Sequence, residues 1–345
     1  MKRFLKILLA LFGSFICVNM ICMFYYSAPG DIYRENGATK SIRMPDSFYI
    51  NAHEGHSFIH FDKRGYNNIR GELDCSYVLI MGSSHMEATY VSQKQNMSTR
   101  LNYLLGGTND KLRVYNIAHA GNPFPQIVKG FKAGIEEFSH SSAIVIEVYT
   151  TSYSVSDLRE SLHQIEYHPS SSGEYLKSNL KIRQKFRSWI IGGVPFIKYV
   201  IGRQFEAVDF QPENPFGLKN DMIETERTFD KEAYSLALGE AMSLLRGEYD
   251  NPIIILYHPE VSFRGSGMEI VRDNDTYDIF ENVCRENGIV FLDTGNAFLR
   301  AYDERHAVPY GFHNTVIGYG HLNAEGHEII ANELFQVIKG LQEVQ

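Results

Sequence analysis

Cysteine is scarce in this chain, with four in 345 residues, and tryptophan occurs once. So few thiols exclude a disulfide-dense scaffold. Three histidines late in the chain, His313, His321 and His327, share no compact zinc spacing and have no cysteine beside them. Neither a metal nor a cofactor is therefore expected. Basic residues are also in deficit, 33 against 41 acidic ones for a formal charge of -8, which excludes nucleic-acid binding by bulk charge. No internal repeat is apparent. What the chain has in quantity is core material, 44% hydrophobic and 13% aromatic, enough for one large packed domain or two small ones and too much for a disordered protein.

Long hydrophobic runs are limited to one, from Ile7 to Tyr26, weakened only by Gly13, Ser14 and Asn19 and preceded by Lys2, Arg3 and Lys6. That length spans a bilayer. It exceeds the apolar region of an ordinary signal peptide, so an uncleaved anchor is expected rather than a processed leader. The leading charges predict a single-pass protein of the cell membrane, its N-terminus cytoplasmic and the rest extracytoplasmic. Cys17 and Cys22 fall inside the run, where the bulky Ile16 and Ile21 before them fit lipid modification poorly. Cys75 and Cys284 remain, and an oxidising compartment permits a bond between them.

The expected organisation is an anchor over residues 1–27, an extracytoplasmic lead-in over 28–74, and an α/β domain over 75–345. In that domain apolar strands alternate with helical patterns: Val78–Met81, helix Ser98–Leu105, Val114–Ile117, helix Gln126–Phe138 and Ala143–Tyr149. Helix Phe229–Arg246 and strands Pro252–Tyr257 and Gly288–Leu292 follow. Such alternation predicts a three-layer α/β/α fold around a mostly parallel sheet. A cap-like insertion at about 155–228 interrupts it. Within that insertion Glu174–Arg203 is basic and aromatic, which fits a surface resting on anionic lipid. A solvated helical hairpin capping the fold fits it better, because such patterns are weakly specific.

The run Val78-Leu79-Ile80-Met81-Gly82-Ser83-Ser84-His85 ends a buried strand in a small-residue turn with hydroxyls. Ligands bind at the carboxyl ends of strands in open α/β sheets, although a small hydroxyl residue after a strand is also an ordinary helix cap. Two further blocks stand in order behind it. Val114-Tyr115-Asn116-Ile117-Ala118-His119-Ala120-Gly121-Asn122 places a glycine after the next strand, and Gly320-His321-Leu322-Asn323-Ala324-Glu325-Gly326-His327 places a histidine just before the last helical pattern. Together the blocks resemble the SGNH, or GDSL-like, hydrolase superfamily across most of the chain beyond the anchor.

The resemblance implies an SGNH/flavodoxin-like fold, Ser84 as nucleophile and His321 as its general base. It also implies an oxyanion hole from the backbone N–H groups of Ser84 and Gly121. Three positions depart from the family pattern: Ser83 replaces an aspartate, Thr151 stands where an asparagine is usual, and Gly318 stands where the acid of the triad is usual. Asn122 or the Thr151 hydroxyl is then the replacement oxyanion donor. The acid is either dispensed with, supplied from the lead-in or insertion, or replaced by a backbone carbonyl. Asp293, at the end of a strand, is another candidate for the acid, though Asp293-Thr294-Gly295 also starts a helix well. His85 and His258 are candidates for lining the substrate site.

An anchored extracytoplasmic member of this kind resembles bacterial enzymes that modify polysaccharides. The implied function is acyl-ester chemistry on a cell-envelope or exported glycan, by a carbohydrate esterase or an O-acetyltransferase. The alternatives are a noncatalytic glycan-binding or scaffold protein of the same fold and, as a third reading, a lipase- or thioesterase-like hydrolase. Expected partners are an acylated glycan or polysaccharide and the membrane.

Overall fold

The computed structural model describes residues 2–34, 37–69, 75–106, 112–166, 196, 229–265 and 267–344. Most of the insertion, and all of its basic aromatic stretch apart from Phe196, lies outside the described residues.

The apolar N-terminal run forms a single helix, α1 (Lys2–Tyr25), whose side chains are almost all exposed. It is the one described helix long and apolar enough to cross a membrane, a property that a signal sequence shares. The lead-in continues directly from it with short strands: β1 (Tyr26–Ser27), β2 (Asp31–Tyr33), β3 (Ser41–Arg43), β4 (Phe48–Asn51) and β5 (Ser57–His60). β4 pairs antiparallel with both β1 and β5, and β2 with β3. Alternation buries Tyr49 and Ile59 on one face of the β4–β5 pair while Phe48 and Phe58 face solvent.

Beyond the lead-in, unbroken apolar runs make a central sheet: β6 (Ser76–Met81), β7 (Leu112–Asn116), β8 (Ser141–Val148) and β9 (Ile253–Tyr257), with an edge strand described below. Val78 and Ile80 pack on one face and Leu79 and Met81 on the other, so β6 is apolar throughout. Strands buried on both faces read this way. Between them lie α2 (Ser84–Glu87), α3 (Met97–Gly106), α4 (Phe124–Lys129), α5 (Phe131–Glu137), α6 (Val155–Ser161) and α7 (Lys231–Glu248). A single helix over Gln126–Phe138 was the expectation. It is divided at Gly130, where only glycine fits because a side chain would come 2.5 Å from the Ala38 carbonyl oxygen of the lead-in.

A hairpin absent from the sequence reading, β10 (Glu260–Arg264) and β11 (Gly267–Val271), precedes α8 (Asn274–Glu286), the edge strand β12 (Val290–Asp293), α9 (Gly295–Arg305) and α10 (Ala324–Val344). The five-stranded sheet has the order β12-β9-β8-β6-β7 with every neighbour parallel. Helices α4, α5, α7 and α8 cover one face, and α3, α9 and α10 the other. This is the three-layer α/β/α architecture. The chain steps from β6 outward to β7 and then returns to β8 on the other side, so the strand order reverses at β6. Binding crevices form at that reversal in open α/β sheets.

Candidate active site

The strand β6 ends at Gly82, and the turn behind it is tied to β8. Glu147, fully buried, accepts hydrogen bonds from the Ser83 N–H and, at 3.0 Å, from the Ser83 hydroxyl. A side chain at 82 would collide with Glu147 Oε2 and Met86 Cβ, both 2.8 Å away, so only glycine fits. Ser83 occupies the N-cap position of α2 but makes no side-chain cap bond. Its hydroxyl serves Glu147 instead, which displaces the simple capping reading of this turn. Ser84 opens α2 half-buried, and the first N–H groups of a helix have no intrahelical acceptor.

His321 faces Ser84 from the loop before α10, its Nε2 3.0 Å from Ser84 Oγ. On the other side of the ring, Nδ1 donates to Glu54 Oε2 at 2.8 Å, and the His321 backbone N–H donates to Glu54 Oε1 at 2.9 Å. An ionised carboxylate only accepts, so this contact puts the ring proton on Nδ1 and leaves the Nε2 lone pair for the serine. Burial raises the Glu54 carboxyl, but hydrogen bonds and charge from His321 outweigh it and hold the group below its ordinary value. Tyr90 stacks on the imidazole with ring centroids 3.7 Å apart and planes at 17°. The loop itself is fixed by Asn323, whose side-chain oxygen caps α10 by accepting from the Glu325 and Gly326 N–H groups at 3.0 and 3.1 Å.

A second ionic cluster joins the turns around the site. Glu87, buried at the end of α2, accepts from Arg43 Nε at 2.7 Å and from the Ala120 N–H at 2.9 Å, with His119 Nδ1 3.4 Å away. Burial would raise its carboxyl, yet His119 and Arg43 hold it down at about 2. His119 also meets the Ser41 hydroxyl at 2.7 Å, and its backbone N–H donates to the Gly82 carbonyl at 3.0 Å. The lead-in therefore clamps the β7 loop to the helical turn that carries Ser84. Gly121, next in that loop, is exposed, has φ +76° and has open space where a side chain would stand. Glycine adopts that left-handed backbone at little cost.

The remaining sequence candidates divide by what already engages them. Asn122 is buried, and its amide makes no hydrogen bond to another described residue. The Thr151 hydroxyl is buried and paired with Thr276 Oγ1 at 2.8 Å, and the Thr151 carbonyl accepts from the Tyr234 hydroxyl. His85 is half-buried, accepts from the Leu322 N–H at 3.3 Å and lies with its ring 5.1 Å from that of His321. Burial and then the neighbouring His258, His321 and His327 hold its pKa well below the ordinary histidine value, so it is neutral. His258 does not line a surface: its side chain is 0% exposed, with Nε2 2.8 Å from Glu147 Oε1 and Nδ1 2.9 Å from the Tyr310 hydroxyl. It backs the Ser83 turn from beneath. Asp293 accepts from Arg272 Nε at 3.0 Å, from the Tyr277 hydroxyl at 2.7 Å and from the Gly295 N–H at 2.7 Å, which commits it to starting α9. Cys75 and Cys284 are both free thiols, so the bond that an oxidising compartment permits is not formed.

Three residues of the site carried no sequence label. Glu147 was hidden inside an apolar strand, and Tyr90 stands in a turn without periodicity. Glu54 follows Asn51-Ala52-His53 in the lead-in, 267 residues from His321. The one signal for it was negative: glycine at 318 required any acid to come from elsewhere.

No protein-family model matches the sequence, and no curated protein matches it. Among solved structures it is similar to an alpha/beta hydrolase enzyme from the metagenome of Lake Arreo, Spain, at 15% identity and TM-score 0.42, covering 79% of this chain and 99% of the other. An acetyl xylan esterase is similar at 10% identity and TM-score 0.42, over 76% of this chain and 99% of its own. A catalytic mutant of an acetylxylan esterase from Geobacillus stearothermophilus gives 13% identity and TM-score 0.40, over 77% and 96% respectively.

Proposed function

We propose that this chain is a serine-dependent acyl-ester enzyme with Ser84 as nucleophile, His321 as general base and Glu54 as the acid that orients it. The observation that carries the reading is the unbroken chain of contacts from Ser84 Oγ through His321 to Glu54, 3.0 and 2.8 Å long, at the carboxyl end of the sheet. A hydroxyl gains nucleophilic strength when a neighbouring imidazole takes its proton. In the first half-reaction Ser84 Oγ bonds to the acyl carbon while its proton passes to His321 Nε2. The carboxylate of Glu54 faces the imidazolium that forms. The backbone N–H groups of Ser84 and Gly121, with the Asn122 amide, receive the developing oxyanion. Collapse expels the alcohol, which takes the proton from His321. Water or a second hydroxyl then attacks acyl-Ser84 by the same route.

Within that chemistry the leaving or accepting alcohol is read as a glycan hydroxyl, from the pattern of blocks and the anchor in the sequence. The site lies on the extracytoplasmic side if Lys2, Arg3 and Lys6 set the orientation of α1. The noncatalytic alternative drew its support from the missing asparagine and the missing acid; Glu54 beside His321 counts against the second, while Thr151 still stands where the asparagine is usual.

A serine-directed phosphonate probe tests the core of the reading. Labelling of the wild-type chain and none of Ser84→Ala is expected, with loss of ester turnover by about a thousandfold or more in the variant. Folded wild type that resists the probe overturns the proposal. Acetyl donor supplied with and without polysaccharide separates transfer from hydrolysis, since acetate release that ignores the acceptor removes the transferase.

A further inference from the structure

The turn that carries Glu54 is bonded to the end of α1. The chain leaves that helix along β1, and β4 runs antiparallel to it, Tyr26 opposite Asn51 and Ser27 opposite Ile50, so β4 leads back toward the helix. Ala52 then donates its N–H to the Tyr25 carbonyl at 2.7 Å, and Glu54 follows within the turn that Asn51 closes by donating to the Glu54 carbonyl at 2.8 Å. Measured along bonds and contacts from Tyr25 through Ala52, Glu54 and His321, Ser84 Oγ is no more than about 25 Å from the end of the helix.

The loop that precedes His321 is fastened to the same turn. The Asn314 side chain donates to the carbonyls of Ala52, His53 and Gly55 at 3.0, 3.3 and 3.1 Å and accepts from the Gly55 N–H at 2.9 Å. The segment Gly311–Gly320 contains no Asp, Glu, Lys or Arg. At its tip Val316, Ile317 and Tyr319 are 51%, 53% and 47% exposed, and Phe263, 45% exposed, lies against Gly318. An exposed apolar cluster of this kind marks a surface made for contact. The neighbouring α1 points to a bilayer as the partner: its Ile21 and Phe24 are 69% and 65% exposed, and a helix of its 24 residues is about 36 Å long against a hydrocarbon layer of about 30 Å.

We propose that the Ser84 site works at the bilayer surface, with the Gly311–Gly320 loop resting in the headgroup layer beside the end of α1, and that its acyl ester is carried by a molecule held in the membrane. The proposal rests on the catalytic reading of Ser84, His321 and Glu54. Apolar side chains at headgroup level gain by burying area there, and sharing a membrane raises the effective concentration of enzyme and substrate for each other.

The full chain, reconstituted in phosphatidylethanolamine and phosphatidylglycerol vesicles and labelled at Ser84 with a fluorescent phosphonate, tests the placement by energy transfer to a headgroup acceptor dye. Strong transfer is expected, and labelled protein without transfer overturns the proposal. A second arm compares an acetylated sugar bearing a lipid tail, dissolved in the vesicles, with the same sugar free in solution. Turnover of the tethered ester is expected to be about tenfold faster. The triple variant Val316→Ser, Ile317→Ser, Tyr319→Ser keeps the α1 anchor but no longer rests the loop at headgroup level, and should lose a measurable part of that advantage while hydrolysing the free sugar as before. Equal turnover of the two esters, or a triple variant that keeps the full advantage, overturns the membrane reading and leaves the catalytic one standing. A probe that fails to label Ser84 overturns both.

Discussion

His321 is held between an acceptor and a donor, its Nδ1 proton committed to Glu54 and its Nε2 lone pair to Ser84. Glu54→Gln keeps the shape of that contact and removes the charge that faces the imidazolium. The expected result is a fall in kcat of about a hundred- to ten-thousandfold with near-normal folding, read by steady-state turnover of a short soluble ester. An unchanged kcat would return Glu54 to a structural role. The pH sense follows from its lowered carboxyl. What the contact contributes is fully present above the ordinary carboxylate range and is lost only as pH falls through the depressed value. The oxyanion side divides in the same manner. The Asn122 amide makes no hydrogen bond to another described residue, whereas the Thr151 hydroxyl is paired with Thr276. Asn122→Ala should cost about a hundredfold in kcat, the scale of one oxyanion donor. Thr151→Val should leave kcat within about threefold and show its effect in stability, because the stranded Thr276 hydroxyl is buried. The reverse ranking in turnover and urea denaturation would reassign the donor.

Between elements, the site is assembled by ties that cross the molecule. Glu87 joins α2, β3 and the β7 loop through Arg43, His119 and Ala120, and its carboxyl is held at about 2 against the pull of burial. From the ordinary value of 4.5 that shift corresponds to about 3 kcal/mol at neutral pH. Because the folded value is the lower one, this stability is complete above the unfolded value and is lost as pH falls toward about 2. Glu87→Gln should therefore unfold at lower urea than wild type at pH about 7, with the gap narrowing steadily as pH drops below about 4. A gap that stays constant with pH would show that packing, not charge, is what the substitution removes. The apolar runs of β6, β8 and β9 were legible in the sequence because strands buried on both faces leave a continuous signature. The β10–β11 hairpin was legible too, Val261 and Phe263 alternating with polar residues, then Met268 and Ile270, around Gly265 and Gly267, but its strands are short and largely exposed and stand out less than the longer apolar runs. The division of the Gln126–Phe138 pattern at Gly130 was not legible, because the close approach of the Ala38 carbonyl that requires glycine there is a tertiary contact.

At the scale of the whole molecule, Ser84 and His321 were legible because each sits at a fixed place relative to a strand or helix that the sequence announces. Glu54 was not, because its place is set by the pairing of β4 with β1 and β5 and by Asn314 from the far end of the chain. A carboxylate located by tertiary contacts leaves no local period to read. The same contacts bear on where the catalytic unit begins. The lead-in supplies Glu54 to His321, Arg43 to Glu87 and Ser41 to His119, and Ala38 packs against α5 at Gly134. We propose that it belongs to the catalytic domain and is no mere spacer between anchor and enzyme. A chain that starts at Cys75 keeps the nucleophile and its base but leaves Glu87 buried without its guanidinium, a loss that costs about 3–5 kcal/mol when one partner of a buried pair is removed. Such a chain should unfold at lower urea and turn over a soluble ester no better than Glu54→Gln in the full protein. Adding residues 28–74 as a separate peptide should restore part of both. A shortened chain as active and as stable as the intact one would make the lead-in a linker after all, and Glu54 a bystander to His321.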